Sequence, residues 1–206
     1  MKNTRRFTLV ELLAVMALIA ILSALGFGVY SYAKGKARES ATEALLKQVE
    51  AGLESFHTKN GYYPRSTGGG FGTIAFTFAS DGTVQSINFG TETLTRQTIS
   101  QNDPQAKMKY MKNAKLESFT KAVDMQVLKS NLNSDNELTD AWGSKVYYRS
   151  PGEFKRGSFD LISAGPDGEF GYDPDTKKGM ATPVGITNVK FFREDGEHVC
   201  DDIFNF

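Results

Sequence analysis

The chain has 206 residues, 40% of them hydrophobic, which is enough for one domain with its own core. Its 24 Lys and Arg balance 24 Asp and Glu, so no global field draws it to nucleic acid. One cysteine, Cys200, excludes an intrachain disulfide, and two histidines, His57 and His198, leave little for histidine-based catalysis or metal binding.

Residues 1–6 read as a basic leader carrying Lys2, Arg5 and Arg6. From Leu12 to Tyr32 no residue is charged. That length suits a helix crossing ~30 Å of hydrocarbon, so a transmembrane or membrane-extracted helix is expected over 7–32. An ordinary cleaved signal fits poorly, because the apolar run exceeds the usual roughly 7 to 15 residues. Its best small-residue site, at Ala24 to Gly26, also lies inside the run. No cysteine follows, which excludes a lipoprotein anchor. Lys34, Lys36 and Arg38 match the leader's basic residues, so flanking charge does not orient the helix. Glu11 sits in the first turns of this apolar segment, where an ionised carboxylate is costly unless it finds a cation or reaches headgroup water.

The stretch RRFTLVELLAVMALIAILSAL, Arg5 to Leu25, resembles the class III signal of type IV pilins and type II secretion pseudopilins. The resemblance implies cleavage between Arg6 and Phe7 by a prepilin peptidase and N-methylation of Phe7. It also implies that Glu11 faces the Phe7 amine of a neighbouring subunit in a filament. Arg6 stands where the family usually has Gly, and Gly26 and Gly28 stand where many pilins carry proline. Glycine weakens a helix by roughly 1 kcal/mol relative to Ala.

Beyond Tyr32, Ala37, Ala41, Leu45, Val49, Leu53 and Phe56 recur at helical spacing, predicting an amphipathic continuation over 33–59. Unbroken, Phe7 to Lys59 would approach ~80 Å at about 1.5 Å per residue. Asn60-Gly-Tyr-Tyr-Pro64 stops it, and Tyr62 and Tyr63 are expected to fold back as core. A similar GxYP ends the long helix of pilin-like proteins.

Residues 65–138 read as an insertion. The glycines at 68–70 and 72 lack a following Lys-Ser or Lys-Thr, which argues for a loop and against a phosphate-binding turn. TIAFTFA and TVQSINF alternate around Asp81-Gly82 as a β-hairpin. Lys107, Lys109, Lys112, Lys115 and Lys121 accompany Met108, Met111, Leu116, Phe119, Val123 and Val127, which predicts a second amphipathic helix with a basic solvated face.

In the last third, strands are expected around Tyr147-Tyr148 and from Phe159 to Ser163, with Pro151-Gly152 turning between them. The order DAWGSKVYY, then DLISAGPDG, resembles the major pseudopilin of type II secretion, although Val146 replaces the family's first strand tyrosine. That family carries a calcium loop here. By resemblance Asp167 and the strand-end carbonyls, including that of Ser163, would bind the ion, and spacing adds Asp173 and Asp175 from an acidic loop over 163–175. The alternative is a solvated acidic turn containing Glu169. A final strand is expected at Val189–Phe192 with a turn at Asp195-Gly196, and Cys200 as a partly buried small residue.

The expected fold is therefore α+β and pilin-like: a long N-terminal helix, first transmembrane and then amphipathic, packed on a small antiparallel sheet in a globular domain over 60–206. The resemblance implies a non-enzymatic subunit of the bacterial inner membrane, single-pass with a periplasmic C-terminal domain. Its partners would be copies of itself, prepilin peptidase, the inner-membrane assembly platform and minor pseudopilins. Alternatives are a type IV or minor pilin for adhesion, motility or DNA uptake, and a signal-anchored periplasmic binding protein.

Overall fold

The computed structural model describes residues 8–100, 103–173, 178–181, 183 and 202–205, with the side chains of 24–28, 172, 173 and 178 excepted. Residues Leu9–Asn60 form one helix, α1, continuous through Gly26 and Gly28. It ends as the sequence predicts. Gly61 takes a positive φ of 79°, and its N–H donates to the His57 carbonyl at 2.7 Å.

The chain divides into two compact units, residues 1–38 and 39–206, so the division falls inside α1. In the first unit every large hydrophobic side chain described between Leu9 and Tyr32 is 55–76% exposed. Among the described residues no helix is long and apolar enough to cross a membrane. The uncharged run includes residues 24–28, whose side chains lie outside those described.

The second unit is α+β. In chain order it contains β1 (Gly72–Thr73), β2 (Ala75–Phe78), β3 (Val84–Asn88), β4 (Thr93–Thr95), α2 (Ala106–Thr120), α3 (Met125–Ser130) and β5 (Val146–Arg149). There follow β6 (Asp160–Ser163), β7 (Phe170–Asp173), β8 (Lys178–Met180) and β9 (Ile203–Phe204). The single sheet expected is instead three antiparallel sheets, ordered β1-β5-β6-β9, β2-β3-β4 and β7-β8. The TIAFTFA segment divides between two of them. Thr73 pairs with Tyr147, whereas Phe76 pairs with Ile87 in the expected hairpin.

The outer half of α1 buries Leu45, Leu46, Val49, Leu53 and Phe56, which join Ile74, Phe89, Phe119, Tyr148, Phe159 and Leu161 in the main core. The helical spacing of these residues puts them on one face, and their removal from water supplies the main drive for docking the helix. Tyr62 and Tyr63 fold back against this core as expected. Polar pins fix the register. The Ala141 N–H donates to Thr42 Oγ1 at 3.2 Å, and Lys155 Nζ lies 3.0 Å from Glu50 Oε1.

The predicted second helix is shorter than its pattern. α2 stops at Thr120, and Asp124 caps a separate α3 by accepting from the Gln126 and Val127 N–H groups. Leu116 and Phe119 are buried, but Met108 and Met111, read as members of the apolar face, are 49% and 61% exposed. The connection from β5 to β6 is likewise longer than a tight Pro-Gly turn, spanning residues 150–159. The strand predicted at Val189–Phe192, the turn at Asp195-Gly196, His198 and Cys200 lie outside the described residues.

Candidate assembly site

Thr8 precedes the first helical residue, and Glu11 sits three positions on. The Thr8 N–H and hydroxyl both donate to Glu11 Oε2, at 2.8 and 2.9 Å, while the Glu11 N–H donates to Thr8 Oγ1 at 3.2 Å. This reciprocal arrangement satisfies donors that a helix start leaves without partners. It also resolves how the carboxylate is accommodated: within this chain Glu11 is turned back onto the helix end by Thr8, the end where the helix dipole favours a negative charge. Phe7, the residue whose amine the cut would create, and Arg6 lie outside the described residues. Thr8 was missed in the sequence reading, although T-x-x-E before an apolar run is a legible capping signal.

The second constellation joins the two C-terminal motifs. Asp140 is buried, and its Oδ1 accepts from the Trp142 and Ser144 N–H groups, each at 2.9 Å. Its Oδ2 accepts from the Ser163 hydroxyl at 2.6 Å. The D-x-W-G turn is thus tied by one carboxylate to the end of β6, where Ser163 pairs with Val146 on one side and Ile203 on the other. At the other end of the same strand pair, Arg149 and Asp160 face each other across β5 and β6. The Arg149 guanidinium donates to Asp160 Oδ2 at 3.0 and 2.6 Å, and stacks 4.2 Å from the Phe71 ring centroid. The same carboxylate accepts from the N–H groups of Glu153, Phe154 and Lys155. Asp160 organises the whole 150–159 connection, and no spacing rule pointed to it.

Of the expected calcium ligands, Ser163 ends β6 and Asp167 is exposed in the following turn. Asp167 Oδ1 accepts from the Glu169 N–H at 2.8 Å, and Glu169 Oε2 from the Gly179 N–H at 2.9 Å. Among the described residues no three acidic, histidine or cysteine side chains gather to hold a metal. The side chain of Asp173 and all of Asp175 lie outside the described residues, so the part of the set that is described does not by itself form a cage.

Residues 1–27 match the prokaryotic N-terminal methylation motif, and residues 114–179, which contain both C-terminal motifs, match the family of type II secretion system protein G. The chain is similar at both ends to pseudopilins of the protein G type. It is 25% identical over 175 residues to the type II secretion system core protein G of Escherichia coli (strain K12), an alignment covering 83% of this chain and 88% of that one. No solved structure matches the chain. As in that family, it is a structural subunit and not an enzyme, and the Asp140–Ser163 hydrogen bond ties its two C-terminal motifs to each other.

Proposed function

We propose that this pseudopilin is held in the bacterial inner membrane by the apolar part of α1 with its C-terminal unit in the periplasm. A prepilin peptidase cuts it between Arg6 and Phe7, Phe7 is N-methylated, and an inner-membrane platform and minor pseudopilins draw it into a pseudopilus whose growth drives protein export. The observation that carries this reading is an oriented carboxylate, Glu11, at the start of a helix whose large apolar side chains are exposed. Apolar surface in that amount is stable only in lipid or against other helices. A Phe7 amine, one residue before Thr8, supplies the cation that an apolar setting demands of Glu11.

Glu11→Gln separates the two roles of the side chain, because glutamine retains the capping acceptor but not the charge. Filament yield should fall to background in both Glu11→Gln and Glu11→Ala while the second unit stays folded; wild-type yield in Glu11→Gln would overturn the charge pairing. Mass spectrometry of the native protein should find N-methylated Phe7, and an intact Met1 would overturn the processing step. Calcium binding by residues 163–175 is a further proposal, supported by the acidic, glycine-bearing composition of that loop. Isothermal titration of the full chain without affinity at millimolar calcium would end it.

A further inference from the structure

The uncharged part of α1 ends in a band of another chemistry. Tyr30 and Tyr32 are followed by Lys34, Lys36 and Arg38, with no acidic residue between Glu11 and Glu39. The tyrosines are 67% and 70% exposed, both lysines are exposed and Arg38 is half-buried. None of the five belongs to the core, which the helix enters farther along, at Leu45 and Leu46. Lys36 and Glu39 have partners of their own, whereas Lys34 and Arg38 form no ion pair among the described residues.

The arrangement around the helix names the occupant. Tyr30, Lys34 and Arg38 recur every four residues on one side, while Tyr32 and Lys36 stand about 200° away at about 100° per residue. A helix docked on one protein surface commits a single stripe to it. Aromatic and basic groups on opposite sides at one level instead suit a medium that surrounds the helix. A second copy of this segment offers only like charge at that level, whereas a phospholipid leaflet offers phosphate. Between Leu12 and Val29 α1 rises about 27 Å, close to the ~30 Å of a bilayer's hydrocarbon. The tyrosines then stand at the hydrocarbon edge with their hydroxyls toward the polar layer, and the basic groups of the next turns reach the lipid phosphates. Lysines and arginines beside a membrane span draw anionic lipid. We propose that residues Tyr30 to Arg38 form a girdle that binds the phosphate groups of anionic phospholipids in the periplasmic leaflet, a hold that is broken when the subunit is extracted into a filament. This rests on the membrane-anchor reading above.

The test uses full-length chain reconstituted in vesicles of equal parts phosphatidylcholine and phosphatidylglycerol, with a trace of one lipid or the other spin-labelled. The fraction of label slowed at the protein reads the preference. Labelled phosphatidylglycerol should be favoured about fivefold over labelled phosphatidylcholine at low salt, and less at high salt. Lys34→Gln with Lys36→Gln and Arg38→Gln should bring the ratio to about one. Lys34→Arg with Lys36→Arg and Arg38→Lys should keep it, which separates charge from helix structure. Equal affinity of the wild type for both lipids overturns the proposal, as does a preference that survives in the glutamine variant. In cells the glutamine variant should give filaments in at least wild-type yield, because the girdle holds the subunit back and takes no part in assembly. Loss of its filaments with the second unit folded would assign the band to a contact between copies and overturn the lipid reading. Wild-type chain that slows neither label would overturn the membrane anchor itself, and this inference with it.

Discussion

Asp160→Asn is the substitution that should expose most about how the second unit is held. The Asp160 side chain is 0% exposed and that of Arg149 is 5%, so both charges depend on each other and on the connection they organise. Five N–H groups converge on the two Asp160 oxygens: two from Arg149 and one each from Glu153, Phe154 and Lys155. Asparagine turns one oxygen into a donor. With its oxygen kept at the Oδ2 position it orphans the Lys155 N–H, and the buried guanidinium, though still hydrogen-bonded, loses its charge partner and has only Glu153, whose side chain is 63% exposed, as a counter-ion. Breaking one partner of such a buried pair costs about 3–5 kcal/mol, a large share of the ~5–15 kcal/mol that stabilises a whole domain. Thermal unfolding of the full chain in detergent micelles, followed by circular dichroism, should show a midpoint lowered by about 10 °C. Arg149→Met should cost less, because Asp160 keeps its three backbone donors. A loss below about 1 kcal/mol in Asp160→Asn, or a larger loss in Arg149→Met, would refute the account.

Gly52→Ala should destabilise by about 1–2 kcal/mol although alanine is the better helix former, because overpacking outweighs a propensity gain of about 1 kcal/mol. A Cβ there would stand 2.7 Å from the buried Phe119 ring and 2.8 Å from Val123, so the same melting assay decides the sign. Glu137 supplies a pH dependence: burial alone would raise its carboxyl above the ordinary 4.5, but bonds from Lys145, Asn133 and Thr73 hold it below. With the folded value depressed, its contribution is complete above the unfolded value and lost as pH falls through the folded one, so Glu137→Gln should flatten the acid limb of a stability–pH curve. Asp124→Ala removes the cap of α3 and should cost about 1 kcal/mol, read by chemical denaturation.

Much of this protein is encoded between near neighbours. The long helix, its end at Gly61, the hairpin around Asp81-Gly82 and the Thr8–Glu11 cap all follow from spacing and turn chemistry over a few residues. The N-terminal motif and the Asp140 to Gly168 pattern carried the family for the same reason. Contacts across the chain decided the rest. Periodicity alone placed Met108 and Met111 on an apolar face, but which apolar residues are covered depends on what the fold brings above them, and nothing described covers these two. Asp124 broke the same pattern into two helices because its side chain satisfies a helix start there. Asp140 reached Ser163, and Asp160 gathered Arg149 with a loop of backbone donors, only once β5 and β6 were paired. A sequence states which side chains can bond; pairing of strands states which of them meet.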